Sequence, residues 1–144
     1  LWLLERGLKT IDVRVRRQND NAMRIAHWCS DRKEIKRVHY PGLSDHPDHE
    51  VARAMLDGFG GMMAIELAGG GKATEKFLRR LKLITHAASL GGVDSLICEP
   101  RYTSHAGMSS DERAAIGIPD GFLRLSIGIE DADDIIADIE QALK

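Results

Sequence analysis

The stretch GFLRLSIGIEDADDII, residues 121–136, combines a predicted strand with the start of a predicted helix. Its apolar residues predict a strand over 122–129, and Asp131 is placed to cap the helix that follows. The inner stripe of that helix is predicted to consist of Ile135, Ile136, Ile139, Ala142 and Leu143. Arg124 lies in the middle of the strand. Because a guanidinium keeps its charge in proteins, an arginine among these apolar residues needs a partner.

Two kinds of partner fit Arg124. Strand alternation places it on the same face as Phe122 and Ser126. A structural partner would be a carboxylate such as Glu66 or Asp94. A functional partner would be a ligand carboxylate or phosphate, held by two hydrogen bonds from the planar guanidinium. The residue pattern alone leaves both partners open.

Strands and helices alternate along the rest of the chain. The predicted elements are, in order, a long amphipathic helix over about 10–30, a strand over 36–40, a helix that Ser44 or Asp45 caps, a strand over 62–68 that GGG (69–71) ends, a helix over 72–83, strands over 84–88 and 95–99, and a short helix near 109–116 within a polar loop over 100–120. This order predicts an α+β domain, with a small, mainly antiparallel sheet that carries helices on one face.

The composition describes an ordinary globular domain. The chain has 144 residues, of which 43% are hydrophobic and 29% charged, and its formal net charge is −2. This balance gives no electrostatic reason to expect nucleic acid or an anionic membrane as a partner. No apolar stretch is long enough to span a bilayer. Cys29 and Cys98 are far apart in the chain, which predicts free thiols in the reducing cytoplasm.

The chain opens with LWLLERGLKT, which lacks a starting Met and lies within an apolar run. Trp2, Leu3 and Leu4 would be exposed if nothing preceded them. This opening predicts that the chain is the C-terminal piece of a longer protein.

Two motifs are weak signals for a metal or a phosphate. His46 and His49 have the spacing of a zinc pair, but no further ligand motif accompanies them, so surface or capping roles are favoured and no metal site is predicted. GGGKAT (69–74) departs from a phosphate-binding loop at Glu66 and Ala73, which favours a plain turn between a strand and a helix.

The motif SLGG, residues 89–92, follows a predicted strand. Its two glycines permit a tight turn, and a serine hydroxyl with nearby backbone donors suits an anionic oxygen. Spacing alone favours a turn with a capping serine at Ser89.

Ordered motifs along nearly the whole chain carry a resemblance. The chain resembles the C-terminal domain of the Cys/Met-metabolism, or transsulfuration, family of pyridoxal-phosphate (PLP) enzymes, which includes cystathionine γ-synthase, cystathionine γ-lyase, cystathionine β-lyase and methionine γ-lyase. The segments that carry it are RGLKT (6–10), NAMRIA (21–26), YPGLSDHPDHEVA (40–52), GFGGMMAIEL (58–67), SLGGVDSLI (89–97), SHA (104–106) and GFLRLSIGIEDADDII (121–136).

The resemblance implies a fold and a domain division. The fold is that of the small C-terminal domain of aspartate-aminotransferase-like PLP enzymes. Residues 1–9 would be the end of a truncated large domain, and residues 10–144 would be the C-terminal domain, including an inter-domain helix over about 10–30.

The resemblance also implies roles for individual residues. Arg124 would bind the α-carboxylate of the substrate, and Ser89 would help to hold it. Such a grip orients the substrate and so lowers the barrier to reaction. The residues expected to line the site are Ala88, Leu90, Ser104 and His105. Ser104 and His105 occupy the place of a Thr-His pair, and Ala88 stands where several cystathionine-handling members carry Glu or Tyr. This difference favours smaller thioether substrates or sulfhydrylation of an acylated homoserine.

For the whole protein, the resemblance implies PLP chemistry on sulfur-containing or homoserine-derived amino acids, by γ- or β-elimination or by γ-replacement. The Schiff-base lysine and most cofactor contacts would lie in the large domain, so no lysine of this chain is expected to be catalytic and the chain alone is expected to be inactive. The implied partners are the amino-acid substrate, the large domain and the other subunits of a homotetramer. The alternative is a non-catalytic α+β module that binds an amino acid or mediates subunit contacts.

Overall fold

The structure, a computed structural model, describes residues 1–144. In chain order its elements are α1 (Trp2–Leu8), α2 (Ile11–Ser30), β1 (Ile35–His39), α3 (His49–Met55), β2 (Met62–Leu67), α4 (Gly70–Arg80), β3 (Thr85–His86), β4 (Leu96–Cys98), a 3₁₀ turn (Pro100–Tyr102), α5 (Ser110–Ala115), β5 (Phe122–Ser126) and α6 (Ala132–Leu143). None of the helices has the length and apolar character needed to cross a membrane.

The five strands form one sheet in the order β1-β2-β5-β4-β3. β1–β2, β2–β5 and β5–β4 are antiparallel pairs, and β3–β4 is a parallel pair. The α+β class is confirmed, but the sheet is mixed rather than mainly antiparallel as predicted. The connection over 87–95 returns along the sheet before β4 begins, so the two short strands run in the same direction. Residue patterns carry no information about this direction.

The core lies between one face of the sheet and the helices α2, α4 and α6. Leu123, Leu125 and Ile127 from the β5 segment are buried there against Ile135 and Ile139 of α6. Burial of each such side chain is worth about 1.5–3 kcal/mol. The predicted inner stripe of α6 is confirmed, since Ala142 is also buried and Ile136 and Leu143 pack against the same cluster.

Different contacts fix the end of β5 and the start of α6. Asp131 accepts a hydrogen bond from the Asp133 amide and caps α6, as predicted. The strand ends at Ser126 rather than at residue 129, because the Ile127 amide bonds to Gly61 and the Ile129 amide bonds to the carbonyl of Val93. A side chain at Gly128 would collide with that carbonyl, so glycine permits the close approach of the 87–95 loop.

Two helix starts differ from the prediction. α3 begins at His49 without a side-chain cap, because residues 41–48 form successive turns; the predicted caps at Ser44 and Asp45 are therefore wrong. α4 begins at Gly70, which has a φ of +61°, so the glycines form its first turn. The apolar residues of α1 are exposed as expected, with 65% of Trp2 accessible.

Candidate functional site

The strand β5 places Arg124 on the face of the sheet opposite the helices. Its neighbours Leu123 and Leu125 point into the core, and strand alternation turns Arg124 away from it. In the sheet register, Arg124 lies beside Ala64 of β2 on one side and Cys98 of β4 on the other. On the other side of Ala64, in the next strand, lies His39 of β1. A small side chain thus separates a guanidinium from an imidazole.

No protein carboxylate neutralises Arg124. Its Nη2 donates to the backbone carbonyl of Ser89 at 3.1 Å, and its Nε is buried without a hydrogen-bond partner. Glu66 is instead paired with Lys36, whose Nζ lies 2.6 Å from the Glu66 Oε1. Asp94 is exposed and makes no ion pair with Arg124. The two structural partners considered from the sequence are therefore not used, and Arg124 keeps its capacity to bind an anion.

The 87–95 loop that carries Ser89 is tied to β5 and α2. The Gly91 amide donates to the Ser126 hydroxyl at 2.9 Å, and the Gln18 side chain donates to the carbonyl of Gly92 at 2.7 Å. Further along, the amide and hydroxyl of Ser95 both donate to the carboxylate of Glu130. These contacts hold the loop so that the backbone carbonyl of Ser89, an exposed residue, lies beside Arg124. Ala88 and Leu90, the flanking residues, are also exposed.

A cavity of about 370 Å³ opens next to Arg124. It contains two further predicted site residues, Ser104 and His105, whose Oγ and Nδ1 atoms form a hydrogen bond of 2.8 Å. Ser89, Ala88 and Leu90 do not line this cavity. The full lining is His39, Met62, Met63, Ala64, Pro100, Ser104, His105, Ile118, Phe122 and Arg124.

His39 lines this cavity, although the sequence did not predict it as a site residue. Its ring centroid lies 5.2 Å from that of Phe122, and its Nε2 is buried without a partner. Burial, together with the positive charge of Arg37, lowers the pKa of His39 below its ordinary value. The sequence could not indicate His39, because His39 comes near Arg124 only through the pairing of β1 with β2, in which it lies beside Ala64.

The remaining motifs have local roles. His46 Nδ1 accepts a hydrogen bond from the Asp48 amide, and His49 Nδ1 lies 2.8 Å from the carbonyl oxygen of Pro41. No group of three or more His, Cys, Asp or Glu side chains is arranged to hold a metal ion.

The sequence as a whole matches one family model. Residues 1–144 match the model of the Cys/Met metabolism PLP-dependent enzymes. This chain belongs to that family. Comparison with individual relatives shows how much of a longer family member the chain covers.

Curated relatives of the Cys/Met metabolism family cover almost the whole chain. A cystathionine beta-lyase of Coxiella burnetii is 46% identical over 142 residues, which are 99% of this chain and 37% of that protein. An L-methionine gamma-lyase of Fusobacterium nucleatum subsp. polymorphum is 43% identical over 143 residues, which are 99% of this chain and 36% of that protein. A cystathionine gamma-lyase of Bacillus subtilis is also 43% identical over 143 residues, 99% of this chain and 38% of that protein. The chain therefore spans little more than a third of these relatives' length.

Solved structures of the family show the same fold. A cystathionine gamma synthase of Xanthomonas oryzae pv. oryzae, crystallised with aminoacrylate and cysteine, matches with a TM-score of 0.90 and 46% identity over 96% of this chain and 36% of that chain. The cystathione gamma lyase CalE6 of Micromonospora echinospora matches with a TM-score of 0.92 and 38% identity over 99% of this chain and 37% of that chain.

The charges of the residues that line the cavity beside Arg124 limit what it can bind. The lining contains one permanent cation, Arg124, two imidazoles and no lysine. Because the carbonyl group of PLP needs a lysine amine to form a Schiff base, these residues do not supply the attachment point of the cofactor. The half-buried guanidinium of Arg124, which no protein carboxylate neutralises, is suited to an anionic oxygen.

Proposed function

We propose that this chain supplies the carboxylate-binding part of a PLP-dependent transsulfuration enzyme that acts on sulfur-containing or homoserine-derived amino acids. The observation that carries the proposal is the state of Arg124. It is half-buried, its Nε has no partner, and the only group it contacts by hydrogen bonding is the carbonyl of Ser89. An unneutralised guanidinium on the wall of a cavity is the chemistry that binds a carboxylate.

The role of Arg124 is to orient the amino acid. Two parallel hydrogen bonds from its planar group to the carboxylate fix the direction of the bond to Cα. The bond to Ser89 holds the guanidinium against the 87–95 loop, and the Ser89 hydroxyl is available as an additional donor. PLP supplies the electron sink for a negative charge at Cα when it is bound.

The reaction is carbon–sulfur bond cleavage by γ- or β-elimination, or γ-replacement. The relatives include β-lyases, γ-lyases and a γ-synthase at similar identity, so identity alone favours none of these reactions. Ala88 offers no polar group to a distal amino group of the substrate. By the resemblance to cystathionine-handling members, which carry Glu or Tyr there, this favours a smaller thioether or an acylated homoserine as the substrate.

The proposed enzyme needs partners beyond this chain. PLP would be held mainly by a large domain that corresponds to the rest of the relatives' length, and the complete protein would assemble as a homotetramer of two dimers. Both cysteines are free and buried, which fits the reducing cytoplasm. Because the cavity lacks a lysine, the 144-residue chain by itself is expected to be inactive.

The alternative is a non-catalytic module that binds an amino acid or joins subunits. The identities of 42–46% to enzymes over almost the entire chain favour the enzyme instead.

A substrate panel tests the proposal. The full-length parent loaded with PLP is incubated with L-cystathionine, L-methionine, and an O-acylhomoserine plus cysteine, and keto acid, ammonia and thioether products are measured. We expect turnover of at least one substrate by the parent and of none by the 144-residue chain. A parent that turns over none of them, but binds amino acids through Arg124, would identify the module instead.

A further inference from the structure

A buried polar network lies behind one wall of the cavity, in the loop over 99–121 that joins β4 to β5. Its centre is the ion pair between Glu99 and Arg101, whose side chains are only 4% and 11% exposed. Nε and Nη2 of Arg101 lie 2.8 Å and 2.6 Å from the same Oε1 of Glu99. Both charges are therefore largely removed from water, and Arg101 has one further carboxylate nearby, Glu75, whose Oε1 lies 3.4 Å from its Nη2.

This ion pair is joined to the helix α4. The Thr74 hydroxyl lies 2.7 Å from the Gly71 carbonyl and 3.2 Å from Glu99 Oε1, two acceptors that share its one proton. Nη2 of Arg101 lies 3.4 Å from both the Thr74 hydroxyl and the Gly71 carbonyl. Any side chain at Gly71 would collide with the guanidinium. Arg101 is thus enclosed by two elements of the fold, α4 and the end of β4.

A second ion pair closes the far end of the loop. Nη2 of Arg113 lies 2.5 Å from Asp120 Oδ1, and Nη1 donates to the Met108 carbonyl. The Ser110 hydroxyl donates to the other oxygen of Asp120 at 3.0 Å. The 99–121 loop is consequently held at both ends, although it is long and has little regular structure.

The network is connected to the cavity through the backbone. The His105 amide donates to the Pro100 carbonyl at 2.9 Å, and the Thr103 hydroxyl donates to the Glu99 carbonyl at 3.1 Å. Pro100, which lies between Glu99 and Arg101, is itself part of the cavity lining. A movement of Arg101 would therefore displace the wall that carries Ser104 and His105.

A buried ion pair of this kind is poor evidence for stability, because desolvation of the two charges offsets much of their attraction. What the ion pair does define is geometry. The planar guanidinium of Arg101 is held by Glu99, Thr74, Gly71 and, at 3.4 Å, the Glu75 carboxylate, and this arrangement restricts the path of the loop. We propose that Arg101 is a positioning residue that, by bridging Glu99 and Thr74, holds Ser104 and His105 at the cavity wall facing Arg124. The inference rests on the proposed function, because the substrate carboxylate on Arg124 defines what these two residues face.

Kinetics of the full-length, PLP-loaded parent test the proposal. Arg101→Met should lower kcat/KM between about tenfold and a hundredfold, because misplacement of a site wall by about 1 Å has effects of that size. Arg101→Lys should restore little, since an ammonium cannot reach Glu99, Thr74 and Gly71 together. Arg79→Met is the matched control, because Arg79 is an exposed α4 arginine whose side chain donates no hydrogen bond.

Hydrogen exchange followed by mass spectrometry supplies a readout that is independent of turnover. In Arg101→Met we expect exchange to rise at least about tenfold in peptides from 99–121, with peptides from α2 and α6 unchanged. Thr74→Val removes one hydroxyl at nearly constant shape and should give the same pattern more weakly. If Arg101→Met fails to fold, Thr74→Val and Arg101→Lys decide the question by the same two measurements.

Two outcomes would overturn the proposal. Normal kcat/KM in Arg101→Met well below its melting temperature would make Arg101 only a scaffold residue. Unchanged exchange over 99–121 would show that the loop does not depend on Arg101. A failure of the proposed function gives a different set of results from these two outcomes. Arg124→Lys would then leave kcat/KM unchanged, while Arg101→Met would still raise hydrogen exchange over 99–121.

Discussion

Arg124 and Ser89 are joined by a hydrogen bond of 3.1 Å that runs from the guanidinium Nη2 to the serine backbone carbonyl. The bond links β5 to the 87–95 loop and uses the backbone rather than the side chain of Ser89. The loop therefore holds Arg124 through a backbone group that any residue at position 89 would supply, and a ligand contact of the Ser89 hydroxyl stays a proposal.

Ser89→Ala in the full-length parent separates these two functions of Ser89. The carbonyl that holds Arg124 is retained, while the hydroxyl is lost. Because a neutral hydrogen bond contributes about 0.5–1.5 kcal/mol, kcat/KM should fall about twofold to tenfold with no change in melting temperature. Ser44→Ala, at an exposed residue of the 41–48 turns, is the control. Unaltered kinetics in Ser89→Ala would remove the hydroxyl from the site.

His39 should make the folded state sensitive to acid. Its folded-state pKa is lowered, first by burial and then by the charge of Arg37, so the unfolded chain binds a proton more readily. Stability is therefore complete above the ordinary histidine pKa of about 6.5 and declines as the pH falls through that value toward the lower folded-state pKa.

His39→Gln removes this titration while keeping a polar side chain. Melting temperatures of the 144-residue chain are compared at pH 7.5 and pH 5.5. The unmodified chain should lose more stability on acidification than His39→Gln does. His27→Gln, an exposed residue near the end of α2, serves as the control and should behave like the unmodified chain. Equal losses in all three proteins would contradict the assignment.

Local pattern predicted the elements that carry the site. The alternation around Arg124 and the cap at Asp131 gave β5 and α6, because both signals lie within a few residues. Glu66 of β2 is paired with Lys36 of the neighbouring strand β1. Because this contact depends on how the strands pair, the sequence could not exclude Glu66 as the partner of Arg124. The parallel pairing of β3 and β4 depends on the path of a loop, which residue patterns do not encode.

The residues that share the cavity could be identified only from the tertiary structure. Ser104 and His105 come from a loop that is some 20 residues before Arg124, and the Glu99–Arg101 network that places this loop has no sequence periodicity. His39 reaches the cavity only through pairing of β1 with β2. Family motifs predicted which residues to examine, but not which of them share a cavity.

The exposed apolar residues of α1 should promote association of the 144-residue chain. Trp2 is 65% and Leu3 is 74% exposed, and no residue of α1 is buried. Sedimentation velocity over a range of concentrations should show oligomers that the double variant Trp2→Lys, Leu3→Lys reduces. Val51→Lys, at a 59% exposed position of α3, is the matched control and should not reduce them. A clean monomer at all concentrations would contradict this prediction.

Asp138 is a structural residue that the sequence did not reveal. Its buried carboxylate accepts hydrogen bonds from the amides of Lys82, Leu83 and Ile84 at 2.8–2.9 Å and so ties α6 to the segment after α4. Asp138→Ala should destabilise the chain by about 1–3 kcal/mol, because it leaves the buried Ile84 amide unsatisfied and removes the part-buried bonds to Lys82 and Leu83.

Urea denaturation measures this loss. Asp134→Ala, at an exposed position on the same helix, should change the free energy of unfolding by less than about 1 kcal/mol. A similar midpoint for both variants would show that the three amides find other partners.

Arg124→Lys in the full-length parent, measured for both kcat/KM and melting temperature, tests the central claim most directly. Lysine keeps the charge but loses the planar pair of donors. Since a hydrogen bond to a charged group contributes about 1.5–3 kcal/mol, kcat/KM should fall about tenfold to a hundredfold while the melting temperature stays near normal. Arg37→Lys, on an exposed position of β1, should leave both unchanged. Normal kcat/KM in Arg124→Lys together with a lowered melting temperature would show that Arg124 supports the fold and does not bind the substrate.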